Sequence, residues 1–300
     1  MEESSRDSYQ KLGDPGEEEN NNTEKKCNKK CIFIIVGVLG LVVAGVVVAI
    51  ILLWNRGITC SDGQYLPSDD DSKCYDCSAN CKQCTGTKSE SKCTACKDGY
   101  TLDDDICVDF SFKGEYTTTT EHQKIQLIND NFTDNVEKMT IDGNQTDPVS
   151  SYEFNTTGNH KVYFKLKSDK EIDNLSYLFS SLPDLNAVVF NKDFDSTNVN
   201  YIQSMFYSSN SLTSVDLGHF TTTNVMDMND LFSSCNELNY VDITNFSTNM
   251  SHVTLFEGKY PENGTIILSS DFYEKIKDEI PPNWVVVNKT DIDIYDLLEN

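Results

Sequence analysis

The chain has 300 residues, of which 38% are hydrophobic and 24% charged, and its formal net charge is −24. This length suggests about two domains, and the apolar fraction suffices for a packed core in part of the chain. The acidity excludes a general affinity for nucleic acid, because binding to a phosphate backbone requires a basic surface.

The polar tail of residues 1–31 almost lacks large aliphatic side chains, which predicts a disordered cytosolic segment. Within it, Tyr9 and Leu12 fit the short tyrosine sorting signal, in which a bulky apolar residue closely follows a tyrosine; a chance match is the alternative. Cys27 and Cys31 lie at the edge of the apolar run that comes next, where palmitoylation is chemically easy. Unmodified, reduced thiols are the other interpretation of these two cysteines.

The apolar run Ile32–Trp54 contains 23 residues and no charge. As a helix it would reach roughly 35 Å, which is enough for a hydrocarbon core of about 30 Å. Four lysines precede the run and only Arg56 follows it closely, so the positive-inside rule places the N-terminus in the cytosol. We predict an uncleaved type II signal-anchor in the plasma membrane, with residues 55–300 extracellular. Small residues spaced four positions apart make this run a candidate for homo-oligomerisation.

Residues 55–108 hold eight of the eleven cysteines, and three of their spacings are Cys-x-x-Cys. In a reducing compartment such spacings would indicate zinc. Outside the cell they predict four disulfides that replace a hydrophobic core, with the pairing left open. The pattern resembles furin-like and growth-factor-receptor cysteine-rich repeats, and the resemblance implies a disulfide-bonded stalk. The predicted disulfide cysteines are Cys60, Cys74, Cys77, Cys81, Cys84, Cys93, Cys96 and Cys107.

Residues 109–167 contain about five short stretches of alternating apolar residues, separated by turn signals. This pattern predicts a small antiparallel β-sandwich. Its last strand is also a candidate N-terminal cap for the segment that follows.

Eight asparagines beyond the apolar run have Ser or Thr two positions later, with no intervening proline. In an extracellular chain this makes them candidate glycosylation sites. Two of them also occupy repeat positions, so a structural role is the alternative there. The eight are Asn131, Asn144, Asn155, Asn174, Asn245, Asn249, Asn263 and Asn288.

A repeat with a period in the mid-twenties occupies residues 168–258. Its clearest marker is a phenylalanine preceded by Leu or Met, at Phe179, Phe206, Phe232 and Phe256, with spacings of 27, 26 and 24 residues. Such a period predicts a solenoid, in which each unit buries its apolar side only by stacking on its neighbours. Within each unit we predict one short strand, paired in parallel with the next unit's strand, and one helical turn.

One unit reads Met205-Phe206, then Leu212-x-x-Val215-x-Leu217, then Phe220-x-x-x-Asn224-Val225, and the next unit keeps this frame. This combination resembles the BspA-like leucine-rich repeat of surface proteins. The resemblance implies a curved solenoid with an adhesive or recognition role at a cell surface. Residues 259–300 are predicted to form a C-terminal cap and tail.

The predicted fold class is therefore mixed and mainly β. It combines a single N-terminal transmembrane helix, a disulfide-rich stalk, a small β-sandwich-like domain and a short leucine-rich-repeat-like solenoid with caps. Cys235 lies outside the cysteine-rich segment and is expected to be a buried, unpaired thiol.

Side chains between the buried strand positions of the repeats are expected to project from the sheet face. Acidic and aromatic groups there are suited to a basic or sugar ligand; a solvated face without a ligand is the alternative. The predicted partner-binding residues are Ser214, Asp216, Tyr240, Asp242 and Thr244.

Motifs for catalysis are missing from the sequence: it contains no phosphate-binding glycine loop, zinc-protease motif or nucleophile elbow, and its four histidines stand far apart. We therefore expect no enzyme activity, no cofactor and no metal. The aspartate runs 69–71 and 103–105 lack EF-hand spacing, so solvated loops are preferred to calcium sites. The leading hypothesis is adhesion or recognition through an extracellular protein or glycan partner. The alternative is a surface coat or antigen with no fixed ligand.

Overall fold

The computed structural model describes residues 59–69, 72–247, 249–250 and 253–288. They form a cysteine-rich module (59–108), an N-terminal cap (109–167) and a solenoid with its C-terminal cap (168–288). The predicted sorting signal Tyr9 and Leu12, the predicted palmitoylation sites Cys27 and Cys31, and the apolar run Ile32–Trp54 lie outside the described residues.

The predicted fold class is corrected on the transmembrane helix. Among the described residues, no helix is both long and apolar enough to cross a bilayer. The one α-helix within them, α1 (Ser270–Ile276), has seven residues, whereas a span needs about 20. This part of the chain is mainly β: a disulfide-bonded module joined to a β-solenoid.

Four disulfides hold the cysteine-rich module, as its cysteine content predicts. They join Cys60 to Cys74, Cys77 to Cys84, Cys81 to Cys93 and Cys96 to Cys107. All eight sulfurs are thus bonded in pairs, and none is a thiolate available to zinc. Three antiparallel strand pairs complete the module: β1 (Gln64–Tyr65) with β2 (Tyr75–Asp76), β3 (Cys81–Gly86) with β4 (Ser91–Cys96), and β5 (Thr101–Asp103) with β6 (Ile106–Val108).

A nine-stranded sheet runs without interruption from the N-terminal cap through the solenoid. The cap contributes four antiparallel strands: β7 (Phe112–Thr118), β9 (Val136–Ile141), β10 (Asn144–Thr146) and β12 (Gly158–Leu166). The solenoid contributes five parallel strands: β13 (Leu185–Phe190), β14 (Ser214–Asp216), β15 (Tyr240–Ile243), β16 (Thr265–Leu268) and β17 (Val285–Asn288). A separate antiparallel pair and a 3-10 helix cover the cap: β8 (Gln123–Gln126), β11 (Ser151–Phe154) and the helix Asp130–Asn135.

The predicted β-sandwich is also corrected, because the cap strands continue the solenoid's own sheet. Strand β7 pairs antiparallel with β13, and both turn their inner side chains into one core. Phe112 of β7 is fully buried, and its ring lies 5.4 Å from Phe179 and 5.2 Å from Phe190, centroid to centroid. The cap therefore closes the first end of the solenoid by sharing its hydrophobic core.

Equivalent positions of successive units face each other in the sheet, as the repeat predicts. Val188 pairs with Val215, which pairs with Val241, and Ile266 continues the column. The marker phenylalanines stack in the core as well: the rings of Phe179 and Phe206 are 5.6 Å apart and nearly parallel. We call residues 173–198, 199–224 and 225–250 coils one, two and three.

The predicted helical turn is wrong, and a second hydrogen-bonded ladder takes its place. The amide of Phe179 donates to the carbonyl of Met205, and that of Phe206 donates to Leu231, so these bonds run between coils. Amides between them close single turns within a coil, as from Met205 to the Ile202 carbonyl, and no continuous helix forms among these residues. Two left-handed residues in each coil bend the backbone toward the neighbouring coil, for example Ser204 (φ 52°). Apolar residues at helical intervals still point inward, which is why the sequence pattern resembles a helix.

The C-terminal cap closes the other end of the core. Ser269 caps α1 by accepting a hydrogen bond from the amide of Phe272, whose ring packs 5.8 Å from Phe246. Trp284 is buried beside Phe256 and donates its indole N–H to the Pro261 carbonyl at 2.9 Å. The end of the solenoid is thus covered by aromatic side chains.

Candidate functional site

The sheet face of β14 and β15 brings four predicted binding residues into one array. Ser214 pairs with Tyr240, and Asp216 pairs with Asp242, in the same parallel register. Neighbouring strands are about 4.8 Å apart, so the two carboxylates lie side by side. Tyr240 is 37% exposed and lies on the same face.

Both aspartates are held in place by the turns that end their strands. Oδ1 of Asp216 accepts a hydrogen bond from the Gly218 amide at 2.9 Å. Oδ1 of Asp242 accepts from the Thr244 amide at 2.9 Å and from the Thr244 hydroxyl at 2.5 Å. Thr244, a predicted binding residue, therefore serves to orient Asp242. These bonds fix two like charges in a geometry that is unfavourable without a cation nearby.

A glycine creates the space that one of these carboxylates occupies. A Cβ built on Gly218 would lie 2.8 Å from Oδ2 of Asp242. Any larger residue at position 218 would therefore push the Asp242 side chain away from the sheet. The carboxylate row depends on this open position.

The negative charge of the face is not balanced locally. Neither Asp216 nor Asp242 takes part in an ion pair with another described residue. No lysine or arginine occurs between Lys192 and Lys259, a stretch that includes β14 and β15. Burial raises the pKa of the Tyr240 hydroxyl, and the charges of Asp242 and Asp216 raise it further. The face thus combines a neutral phenol with two aligned, uncompensated carboxylates.

Residues 150–264 match a family described as "Mycoplasma protein of unknown function, DUF285". The matched segment begins before β11 and ends one residue before β16, so it includes all three coils and excludes the cysteine-rich module. No curated protein matches the chain, and no solved structure does. The match supports a repeat domain, and the family description names no activity. The finer resemblance to BspA-like repeats is not confirmed by it.

The cysteine-rich module covers the cap's part of the same sheet face. The ammonium of Lys113 on β7 lies 2.6 Å from Asp103, and that of Lys161 on β12 lies 2.5 Å from Asp104. The third residue of this aspartate run, Asp105, pairs with Lys92. Docking of the module therefore buries only Asp103 of this run, at 16% exposure, whereas Asp104 and Asp105 stay exposed to solvent, as expected for a loop.

An outward-facing tyrosine shows how closely the module packs. Tyr163 on β12 is only 2% exposed, since Phe110 lies against it with ring centroids 5.4 Å apart. Burial, aided by Asp103, raises the pKa of the Tyr163 hydroxyl. The sequence did not indicate that Lys113 and Lys161 pair with the aspartates of the module. It showed only that both lysines alternate with apolar residues in a strand. The exposed part of the sheet face is consequently the part on coils one to three and on the C-terminal cap.

An open cleft of about 940 Å³ separates the module from the first coil. Acidic and basic residues alternate along it, including Lys97, Lys167, Asp169 and Asp193. Asn191 closes its floor: its side-chain amide donates to the Thr101 hydroxyl at 3.0 Å. Opposite charges largely balance here, in contrast to the sheet face.

The eight predicted glycosylation asparagines fall into two groups. Asn245 donates its side-chain amide to the Gly218 carbonyl at 2.5 Å, and Asn288 donates to the Ser270 hydroxyl at 2.5 Å. The other six are exposed at the surface: Asn131, Asn144, Asn155, Asn174, Asn249 and Asn263.

The Cys235 thiol and the His160 imidazole are both buried and have structural roles. Cys235 is a free, fully buried thiol that donates to the Phe206 carbonyl at 3.0 Å, and burial raises its pKa to about 12. His160 lies 2.7 Å from Asp142 and 3.0 Å from the Thr118 hydroxyl. His160 and Thr118 are 4% and 2% exposed, so this arrangement cannot reach a substrate.

Proposed function

We propose that the chain is an extracellular recognition protein that binds cationic groups of protein or glycan partners, in adhesion, through the sheet face of β14 and β15. The observation that carries this proposal is the in-register pair Asp216 and Asp242 beside the exposed Tyr240, with no compensating charge. A partly exposed carboxylate pair gains most from a ligand that brings a positive charge between the two groups. A BspA-like origin of the repeat would agree with such a role.

The disulfides support an extracellular setting. Disulfides persist in oxidising compartments and are rare where thiols are kept reduced. Here four of them replace the core of a 50-residue module, so that module depends on oxidation to fold. The large acidic surface keeps such a protein soluble and repels other acidic surfaces.

The test uses the full chain, purified with its disulfides intact, on arrays of basic peptides and of neutral and amino-sugar glycans. The variant Asp216→Asn/Asp242→Asn keeps the side-chain oxygens that accept from Gly218 and Thr244 and removes both charges. We expect its affinity for any captured ligand to fall at least tenfold.

A matched control removes two charges elsewhere. Asp193→Asn/Asp195→Asn lies in the loop after β13, and Asp195 likewise accepts from a nearby amide, that of Thr197 at 3.0 Å. An equal loss of binding in this control would mean that net charge alone attracts the ligand, and the proposed site would be wrong. No specific capture at all would favour the coat or antigen alternative.

A further inference from the structure

A strip of three exposed tyrosines and one exposed methionine lies on the second ladder, away from the sheet face. Tyr177, Tyr201 and Tyr207 are 45%, 39% and 42% exposed, and Met226 is 61% exposed. We call these four residues the tyrosine strip. Together they are four of the nine large hydrophobic residues that are exposed among the described residues, so apolar surface is concentrated here.

Backbone hydrogen bonds connect the members of the strip across three coils. The Tyr177 amide donates to the Gln203 carbonyl at 3.1 Å. Gln203 follows Tyr201 by two residues in coil two, so Tyr177 of coil one lies close to Tyr201 along the ladder. The Met226 amide donates to Asn200 at 2.7 Å, and the Tyr201 hydroxyl lies 3.9 Å from the Met226 sulfur. The strip is therefore part of a rigid, hydrogen-bonded surface.

The fold itself does not require aromatic residues at these positions. The ladder neighbours of Tyr201 are Asn174 and Asp227, and the residue that corresponds to Tyr177 in coil two is Ser204. Small polar residues occupy the equivalent positions in other coils. The tyrosine rings therefore enlarge the exposed apolar surface and are not needed to fill the hydrophobic core. Side chains that are both exposed and unnecessary for packing indicate contact with another molecule.

Negative charge surrounds the strip and defines the kind of partner. The carbonyl of Asp173 accepts from the Tyr201 amide at 3.2 Å, so this exposed aspartate lies beside Tyr201 in the neighbouring coil. Asp227 is bridged to Tyr201 in the next coil, and neither aspartate forms an ion pair with a described residue. A ring face and a carboxylate both attract ammonium and guanidinium groups.

We propose that the tyrosine strip docks a basic, extended segment of a partner protein, with a lysine or arginine side chain over Tyr201 between Asp173 and Asp227. This inference does not rest on the sheet face, which belongs to a different side of the coils. If both surfaces bind, one molecule engages a partner at two sites, and the effective concentration of the second contact increases avidity.

The experiment uses the full, disulfide-bonded chain and a fluorescein-labelled octa-arginine peptide, followed by fluorescence polarisation at about 150 mM salt, where long-range attraction is screened. Tyr201→Leu removes the aromatic face and keeps an apolar side chain, whereas Tyr201→Phe keeps the ring. We expect Tyr201→Leu to raise the Kd about fivefold and Tyr201→Phe to change it less than twofold.

Controls separate this site from general acidity and measure any share of the sheet face. Asp193→Asn/Asp195→Asn removes two charges from the loop after β13 and is expected to bind the peptide as the unaltered chain does. Asp216→Asn/Asp242→Asn measures the peptide that binds at the sheet face, and its effect is expected to add to that of Tyr201→Leu. The proposal is overturned if Tyr201→Leu retains full affinity, or if Asp193→Asn/Asp195→Asn loses affinity as strongly. Tyr207→Leu provides a second variant of the strip should Tyr201→Leu fail to fold, and unfolding midpoints report whether each variant is native.

Discussion

The indole of Trp284 lies directly over Gly264, in a space that any side chain at position 264 would fill. A Cβ on Gly264 would come within 2.1 Å of Cε2 of Trp284, although the backbone of Gly264 is not left-handed. The requirement for glycine is therefore steric.

Gly264→Ala is expected to destabilise the protein by about 3 kcal/mol, since it displaces a buried indole that closes the solenoid. Urea unfolding monitored by tryptophan fluorescence measures the loss. Asn263→Ala, at the exposed neighbouring position, should change stability by less than about 0.5 kcal/mol. Combining Gly264→Ala with Trp284→Leu should recover part of the loss; strictly additive effects would show that the two residues are not coupled.

The ion pair between Lys113 and Asp103 is expected to anchor the cysteine-rich module. Their side chains are only 12% and 16% exposed, so Lys113→Met removes the nearer of two ammonium groups from a poorly hydrated carboxylate and leaves only Lys161, at 3.8 Å. We expect a loss of about 2 kcal/mol in chemical unfolding of the oxidised chain. The exposed pair of Lys92 and Asp105 provides the comparison, and Lys92→Met should cost less than about 1 kcal/mol. Similar losses in the two variants would contradict a docked module.

Burial of Cys235 predicts a specific sensitivity to alkali. Its pKa is raised from 9.0 to about 12, so the unfolded chain ionises this thiol at lower pH than the folded chain does. The thiol's contribution to stability is complete below pH 9 and is lost as pH rises from 9 toward 12. Cys235→Ser keeps a donor for the Phe206 carbonyl, in the column where Ser209 already donates to Phe179.

Urea midpoints of the unaltered chain and of Cys235→Ser, measured from pH 7 to pH 10.5, test this point. The unaltered chain should lose stability relative to Cys235→Ser above pH 9, by at most about 1.4 kcal/mol per pH unit. Parallel curves throughout that range would show that the thiol is not buried as described.

Asn245 should behave as a structural residue and Asn131 as a surface residue. Asn245→Ala removes the amide that bonds the Gly218 carbonyl, and we expect it to cost about 1–2 kcal/mol. Asn131→Ala changes an exposed side chain and should stay within about 0.5 kcal/mol. In a host that glycosylates secreted proteins, mass spectrometry should find a glycan at Asn131 and none at Asn245. A fully occupied Asn245 in the folded protein would contradict the hydrogen bond.

The repeat could be predicted from sequence because its buried columns recur at fixed intervals. Val188, Val215 and Val241 alternate with outward residues within their strands, and the same spacing brings them into register. The second ladder could not be predicted in this way. Serines such as Ser204 and Ser208 adopt left-handed backbone without any residue type that signals it, and the apolar spacing around them equals that of a helix.

The sheet face was only partly predictable. Alternation along the strands indicates that Asp216 and Asp242 face outward, whereas the role of Thr244 in holding Asp242 depends on a turn geometry that alternation does not encode. Docking of the cysteine-rich module escapes sequence reasoning altogether. The contact between Lys161 and Asp104 joins residues 57 positions apart in two modules, and each alone looks like a solvated surface charge.

The two ladders also bear on how the chain folds. Hydrogen bonds between coils join residues about one repeat apart, as from Phe179 to Met205 and from Phe206 to Leu231. Each added coil therefore makes contacts of the same sequence separation. Relative contact order is the mean separation divided by chain length, so a longer array would have a lower value than this one. We therefore expect the slow step to be the closure of the first coil on the N-terminal cap, with the remaining coils adding one by one at a cost that does not grow with length.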